Sequence, residues 1–167
     1  MTEQLNAGVI PGLYDAKPMS VVSEGPHKIQ CLKMEWGTVG TGQGSTATPA
    51  FVWKGTFKAV DTSSQGSLPW VQNIFLPYGT KPSGVSPEEA DRFKGREPES
   101  EKEKGQDQGR LAEIKTICLL FGVRPTKESG LELSEFAGKT ATQLCRVKHR
   151  DFEGRPQPQV QWPADVL

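Results

Sequence analysis

Apolar and polar residues alternate with a period of two along several stretches of this chain. Such alternation marks strands, because successive side chains of an extended backbone point to opposite faces. The last stretch is the clearest. In QLCRVKHRDFEGRPQPQVQW, Gln143 to Trp162, the residues Cys145, Val147 and His149 share one face while Arg146, Lys148 and Arg150 share the other. The pattern turns at Glu153-Gly154 and resumes as far as Trp162, which predicts a closing hairpin over Thr140–Phe152 and Gln157–Trp162. His27–Trp36 reads as the first strand. Ile29 and Cys31 fall on one face and Leu32, Met34 and Trp36 on the other, so the phase changes near Cys31 and predicts a bulge. Phe51–Asp61 is the second strand, with Phe51, Trp53, Phe57 and Ala59 on one face and Lys54, Thr56 and Lys58 on the other. Trp70–Tyr78 is the third, with Trp70, Ile74, Leu76 and Tyr78 in phase. Only Arg110–Phe121 has strong helical spacing, through Leu111, Ile114, Ile117, Cys118 and Phe121, and Gly122 ends it. Leu133–Lys139 adds a short helical turn.

Other segments lack such periodicity. Residues 1–22 read as an N-terminal arm docked through Leu13, Tyr14, Val21 and Val22. Gly79–Gln108 is charged, mixed in sign and nearly free of large apolar residues, so it cannot bury enough surface to offset its ordering entropy. It reads as a mobile insertion. Within it, SPEEADRF combines a Ser cap, a first-turn Pro and early acids, and predicts a short helix. Ser63–Ser67, SSQGS, predicts the turn between the second and third strands. The organisation expected is an arm over 1–22, a domain over 23–163 with its insertion at 79–108, and a tail over 164–167. Three strands, a helix and two strands are the layout of a five-stranded OB-fold barrel, a mainly β fold with its helix between the third and fourth strands.

Composition supports a small β-rich domain with long loops: 167 residues, 35% hydrophobic, with 18 Gly and 13 Pro. The formal charge is zero, so distribution matters more than the sum. Cys31, Cys118 and Cys145 are widely spaced within apolar patterns, and the two His are far apart. Buried reduced thiols are expected, with no metal site and no cofactor. The N-terminus MTEQLNAGVIPG lacks a signal pattern, and no run approaches the ~18 apolar residues of a membrane helix. A soluble cytoplasmic protein without a membrane partner is the expectation.

Gly37–Pro49 carries glycines at 37, 40, 42 and 44, but no Lys precedes Ser45 and no helical pattern follows, so a hairpin loop is favoured over a phosphate cradle. No HExxH, GxSxG or paired-carboxylate pattern has structural support, and His149 has only Asp151 near it in sequence. A binding module is therefore favoured over an enzyme. Cations interleave with aromatics on the strands. From Lys139 to Arg155, five Lys or Arg face two acids, a local excess of three positive charges. A cationic groove tracks the phosphates of a single strand while aromatic faces stack its bases, at about 1–3 kcal/mol each. Arg146, Lys148, Arg150 and Arg155 are the candidate phosphate contacts, with Lys54 and Lys58 extending the track. Phe152, Trp53, Trp36 and Tyr78 are the candidate stacking faces. Phe51, Phe57, Ile74 and Phe121 are assigned to the core, and the face of Trp53 also carries Phe51 and Phe57. Alternating Lys54 and Lys58 can also serve simply to block edge pairing, the lesser of the two readings.

These elements together resemble a family of bacteriophage single-stranded-DNA-binding proteins, long labelled a domain of unknown function in phage replication and recombination clusters. The resemblance runs over Gly25–Pro163. It rests on the Gly25-Pro26 lead-in to EGPHKIQCLKMEW, on TFKAV in the second strand, on Leu133 to Lys139, and on Lys148-His149 with Phe152-Glu153-Gly154. Val160 and Trp162-Pro163 complete it. The resemblance implies an OB-fold that coats single-stranded DNA during phage replication or recombination, in the host cytoplasm. The implied partners are single-stranded DNA, phage replication or recombination proteins, and a second copy of the chain in a homodimer. The Gly-rich loop after Trp36 and the charged segment Ser83–Gln108 are longer than in a typical member, and PADVL, with Asp165 alone, does not resemble the acidic tail of bacterial single-strand-binding proteins. The rival reading is a protein-interaction module of the same fold, with incidental nucleic-acid binding.

Overall fold

Alternation in the sequence becomes alternation of burial in the computed structural model, which describes residues 8–16, 20–42, 48–61, 67–127 and 130–166. The strands are β1 (Gly25–His27), β2 (Ile29–Val39), β3 (Ala50–Ala59), β4 (Trp70–Phe75), β5 (Cys145–Phe152) and β6 (Arg155–Gln161). Helices α1 (Pro87–Arg92) and α2 (Glu101–Leu120) and a 3-10 turn at Leu133–Phe136 lie between β4 and β5. The fold is mainly β, with two three-stranded antiparallel sheets in the orders β1–β5–β6 and β2–β3–β4. The turn expected at Ser63–Ser67 and the middle of the glycine loop fall largely outside the described residues.

Six strands stand where five were expected, because the first is divided. Gly25–His27 pairs with β5, and Ile29–Val39 pairs with β3. One run of chain thus forms an edge of both sheets. The bulge expected near Cys31 is present: Cys31 faces Phe57, Lys33 faces Thr56, and Leu32 is the extra residue. It brings Met34 back to the core side with Ile29 and Cys31, so Leu32 alone of the predicted second face is left outside the core alternation. Residues 138–141 cover the other edge of β2, where Cys31 N–H donates to Lys139 O (2.8 Å) and Ala141 N–H to Ile29 O (2.8 Å). The expected strand from Thr140 therefore starts only at Cys145.

Among the described residues no continuous ladder joins β4 to β6, so the two sheets do not close into the expected barrel. A side chain spans the gap. Gln72 Oε1 accepts from Val160 N–H (2.7 Å), and its Nε2 donates to Val160 O (3.1 Å). One amide satisfies both backbone groups of a buried residue. Replacing it by Leu strands them, at an expected cost of about 1–3 kcal/mol. Urea denaturation of Gln72→Leu should show a lower midpoint with an unchanged slope; an unchanged midpoint would mean that water replaces the clasp.

The core lies between the sheets under the C-terminal part of α2. Phe57 is fully buried among Trp162 (5.4 Å between ring centroids), Phe121 (6.1 Å) and Trp70 (6.3 Å). Gly55 makes room for it, since a Cβ there would meet the Phe57 ring at 2.5 Å. Phe51, Ile74 and Phe121 are buried as expected, and the three cysteines are free and buried.

Helix α2 begins at Glu101 rather than Arg110. Ser100 caps it by accepting Glu103 N–H (3.2 Å), while the Glu103 carboxylate accepts Glu99 N–H (2.9 Å). Helix α1 matches expectation, capped by Ser86, and Gly122 follows α2 at φ 68°. Leu111 departs from its predicted stripe and is exposed. Of the arm residues expected to dock, Val22 is buried, whereas Leu13 and Tyr14 are exposed and Val21 lies at the surface. The arm is held through Val22, whose carbonyl accepts from His149 Nε2 (2.6 Å).

Candidate nucleic-acid interface

The closing hairpin builds the most distinctive surface. Its two-residue turn places Glu153 (φ 53°) and Gly154 (φ 77°) in the left-handed region, which matches the twist of the strands on either side. Antiparallel register then sets Arg146 opposite Gln161, Lys148 opposite Gln159, Arg150 opposite Gln157 and Phe152 opposite Arg155. Side chains directly opposite share a face. Four cations, three glutamines and one phenylalanine therefore stand together. Cys145, Val147 and Val160 on the reverse are buried. Arg155 is the first residue of β6 rather than part of the turn. Asp151 lies on the reverse face opposite Pro156, and Glu153 is in the turn, so the paired positions of β5 and β6 put no acid on the cation face. Among the described residues none of the four has an ion-pair partner. Phe152 is 60% exposed beside a depression of about 480 Å³ lined with Glu153, Arg155, Pro156 and Gln157. His149 turns away from Asp151, its Nε2 to the Val22 carbonyl and its Nδ1 towards the Glu24 carboxylate at 3.9 Å.

Lys54 and Lys58 lie on the outer face of the other sheet. Glu35 stands opposite Lys54 and pairs with Lys33 (3.1 Å), so charge on that face is mixed. The stem of Lys54 covers Gly37, where a Cβ would come within 2.6 Å of it. Because β3 is the central strand, these lysines guard no edge, and the edge-blocking reading does not apply. Lys28 connects the two faces. Along the divided first strand, His27, Ile29 and Cys31 are buried while Pro26 and Lys28 are exposed and Gln30 is half-buried. Pro26 faces Arg146 and Gln30 faces Lys58, so Lys28 stands between the hairpin cations and the β3 lysines. The strand is pinned there: the His27 ring lies 3.1 Å from the Asp61 carboxylate, which also accepts Lys28 N–H (3.1 Å).

Three of the four aromatic candidates stand elsewhere. Trp53 is 5% exposed in the core, edge-on to Trp36 and beside Phe136. Trp36 is half-exposed, but register with Trp53 puts it on the core side, opposite to the side bearing Lys54. Tyr78 lies beyond the end of β4 and is engaged by charge. Its hydroxyl donates to Glu103 (2.9 Å), and Arg96 and Lys94 lie over its ring at 4.8 and 5.5 Å. Burial first, then the Glu103 hydrogen bond, pushes its phenol up. Phe152 alone stays with the cations.

Glu103 is the hub of that cluster. The Glu99 N–H, then the Arg96 guanidinium and the Tyr78 hydroxyl, pull its carboxyl down to about 2. A carboxyl depressed by folding contributes stability that is whole above its ordinary value and is lost as pH falls towards its folded one. Stability carried by the cluster should therefore persist above pH 4.5 and fade between there and about 2. In Glu103→Gln, denaturation midpoints should be lower at neutral pH and converge on wild type at the acid end of that window. Parallel curves for the two proteins would remove Glu103 from the acid response.

Lys28, Phe75 and the glutamines of β6 were not among the sequence candidates. Alternation in WVQNIF puts Val71, Asn73 and Phe75 outward, and Phe75 is 49% exposed with Arg110 at 5.8 Å from its ring. That signal was present in the period-two pattern. Among the described residues no group of His, Cys, Asp and Glu could hold a metal ion, and no helix is long and apolar enough to cross a membrane. Comparison with protein-family models, with curated proteins and with solved structures finds no match for the chain.

Proposed function

We propose that the chain binds single-stranded DNA with little sequence preference, as a partly open OB-type domain. The observation that carries this reading is the hairpin face, where four cations, without an ion-pair partner among the described residues, stand with an exposed Phe152. Cations spaced along a strand suit successive phosphates, and glutamines between them offer hydrogen bonds that do not depend on one base. The fold supports the same reading. Treating β1 and β2 as one long strand leaves five, with α2 between the third and fourth. In OB folds the face of strands two and three and the loops joining strands one to two and four to five bind oligonucleotides. Here those positions carry Lys54, Lys58 and Phe75 on β3 and β4, and Phe152 and Arg155 at the β5–β6 turn. The resemblance to phage single-strand-binding proteins supplies the setting: coating and protection of DNA during phage replication or recombination, in the host cytoplasm, without catalysis.

The test is fluorescence anisotropy of labelled oligo(dT) against a duplex of equal charge, over a range of salt. Oligo(dT) should bind more tightly. If all four hairpin cations meet phosphates, the log–log salt slope should be near −3, at about −0.7 per contact. Equal affinity for duplex would reduce the site to a general polyanion surface, and no binding to either would retire the reading.

A further inference from the structure

We infer that the N-terminal arm of one copy plugs an apolar groove on a second copy, making a reciprocal dimer. Among the described residues two apolar surfaces stand open to solvent. The first is the arm, in which Val9, Ile10, Leu13 and Tyr14 are exposed, Tyr14 at 98%. They are gathered on a compact turn, where Leu13 N–H donates to Ile10 O (3.1 Å) and Ala16 N–H to Leu13 O (3.2 Å). The second is an open groove of about 610 Å³ beside α2, lined by Leu76, Pro77, Leu111, Ile114 and Leu131. Large apolar groups left in water and an open apolar groove each mark an interaction site. Charge agrees as well, because Asp15 follows Tyr14 in the arm and Lys115 lines the groove.

Chain geometry favours a second copy over self-docking. Ser20 bridges to Ser67 just before β4, and Leu68 N–H donates to Ser20 O (2.8 Å). The groove opens past the other end of β4, at Leu76 and Pro77, and six residues of strand rise roughly 20 Å. Tyr14 precedes Ser20 by six residues, which span at most about 20 Å when fully stretched. Its own groove is thus reached only by an extended arm with the turn undone. A partner's groove accepts the turn intact, and twofold symmetry repeats the contact.

Sedimentation velocity of the full chain over the micromolar range tests this. Wild type should dimerise. Leu13→Asp with Tyr14→Asp, and separately Leu111→Asp, should each weaken the dimer at least about tenfold. All three positions are exposed, so melting temperatures should hold. Mixing the two variants should restore a dimer, since one keeps its groove and the other its arm. A monomeric wild type, a dimer that survives both variants, or a mixture that stays monomeric would each overturn the inference. A monomeric wild type whose Trp emission shifts on arm mutation would place the arm in its own groove.

Discussion

Arg146→Glu combined with Lys148→Glu is expected to weaken oligo(dT) binding by about tenfold or more and to flatten its salt dependence. The size follows from counterions. Each phosphate neutralised releases condensed cations, at about −0.7 in the log–log slope for single strands, so two lost contacts should lower it by about 1.4. Reversal goes beyond loss, because two carboxylates then repel the strand from Arg150 and Arg155. Both positions are exposed and lack ion-pair partners among the described residues, so the fold should tolerate them. Surface changes of this kind cost within about 0.5 kcal/mol. The decisive comparison is Lys54→Glu with Lys58→Glu, a reversal of equal charge on the mixed face. If that pair proves as damaging as the hairpin pair, DNA follows the β3–β4 face and the hairpin is secondary. Unchanged affinity in the hairpin pair, with a folded protein, would end the ribbon model.

Phe57→Ala should be the most damaging single substitution for stability, at about 3–5 kcal/mol. Phe57 packs against three elements: β4 through Trp70, the end of α2 through Phe121, and the chain after β6 through Trp162. Gly55 leaves the ring lying across its own strand, so the void would open at the centre of the β2–β3–β4 sheet. Small domains have only about 5–15 kcal/mol in total, so the loss should be visible as a large fall in urea midpoint. Trp70 and Trp162 flank the site and should shift their emission towards that of solvated indole. Phe75→Ala, on the outer face, should cost far less. A Phe57→Ala midpoint near wild type would mean that the neighbouring rings collapse into the space.

Much of this architecture was legible in period-two patterns. They placed the hairpin turn at Glu153-Gly154, the inward Cys145 and Val147, the outward Arg146, Lys148 and Arg150, and the bulge at Cys31. Register was harder to read. The extra residue Leu32 reverses parity, and with it the side on which Met34 and Trp36 fall, a one-residue effect that composition cannot reveal. Helix α2 was underestimated because its first half has no apolar stripe. It is held by Ser100, Glu103 and the Tyr78 N–H bond to Asp107 (3.0 Å), and the Ser-x-x-Glu signature was there to be seen. Tyr78 was misjudged for a related reason, since its partners Lys94, Arg96 and Glu103 come from a segment whose charges suggested only solvent. The Gln72 clasp had no local signal, because its partner Val160 is distant in sequence.

The strand shared by both sheets has a consequence for how the chain is made. Residues of β2, β3 and β4 lie close in sequence and can pair as soon as they leave the ribosome. Gly25–His27 must wait for Cys145–Val147, the partners it needs, until everything from β2 through the 3-10 turn has been synthesised. Such long-range pairing is slow, and edges left open in the meantime invite association with other chains. The basic hairpin thus arrives after the β2–β3–β4 sheet. A product truncated before it would keep a three-stranded sheet with one uncovered apolar side, a natural substrate for chaperones and proteases. Synthesis would then deliver the basic hairpin only after the β2–β3–β4 sheet has had time to pair.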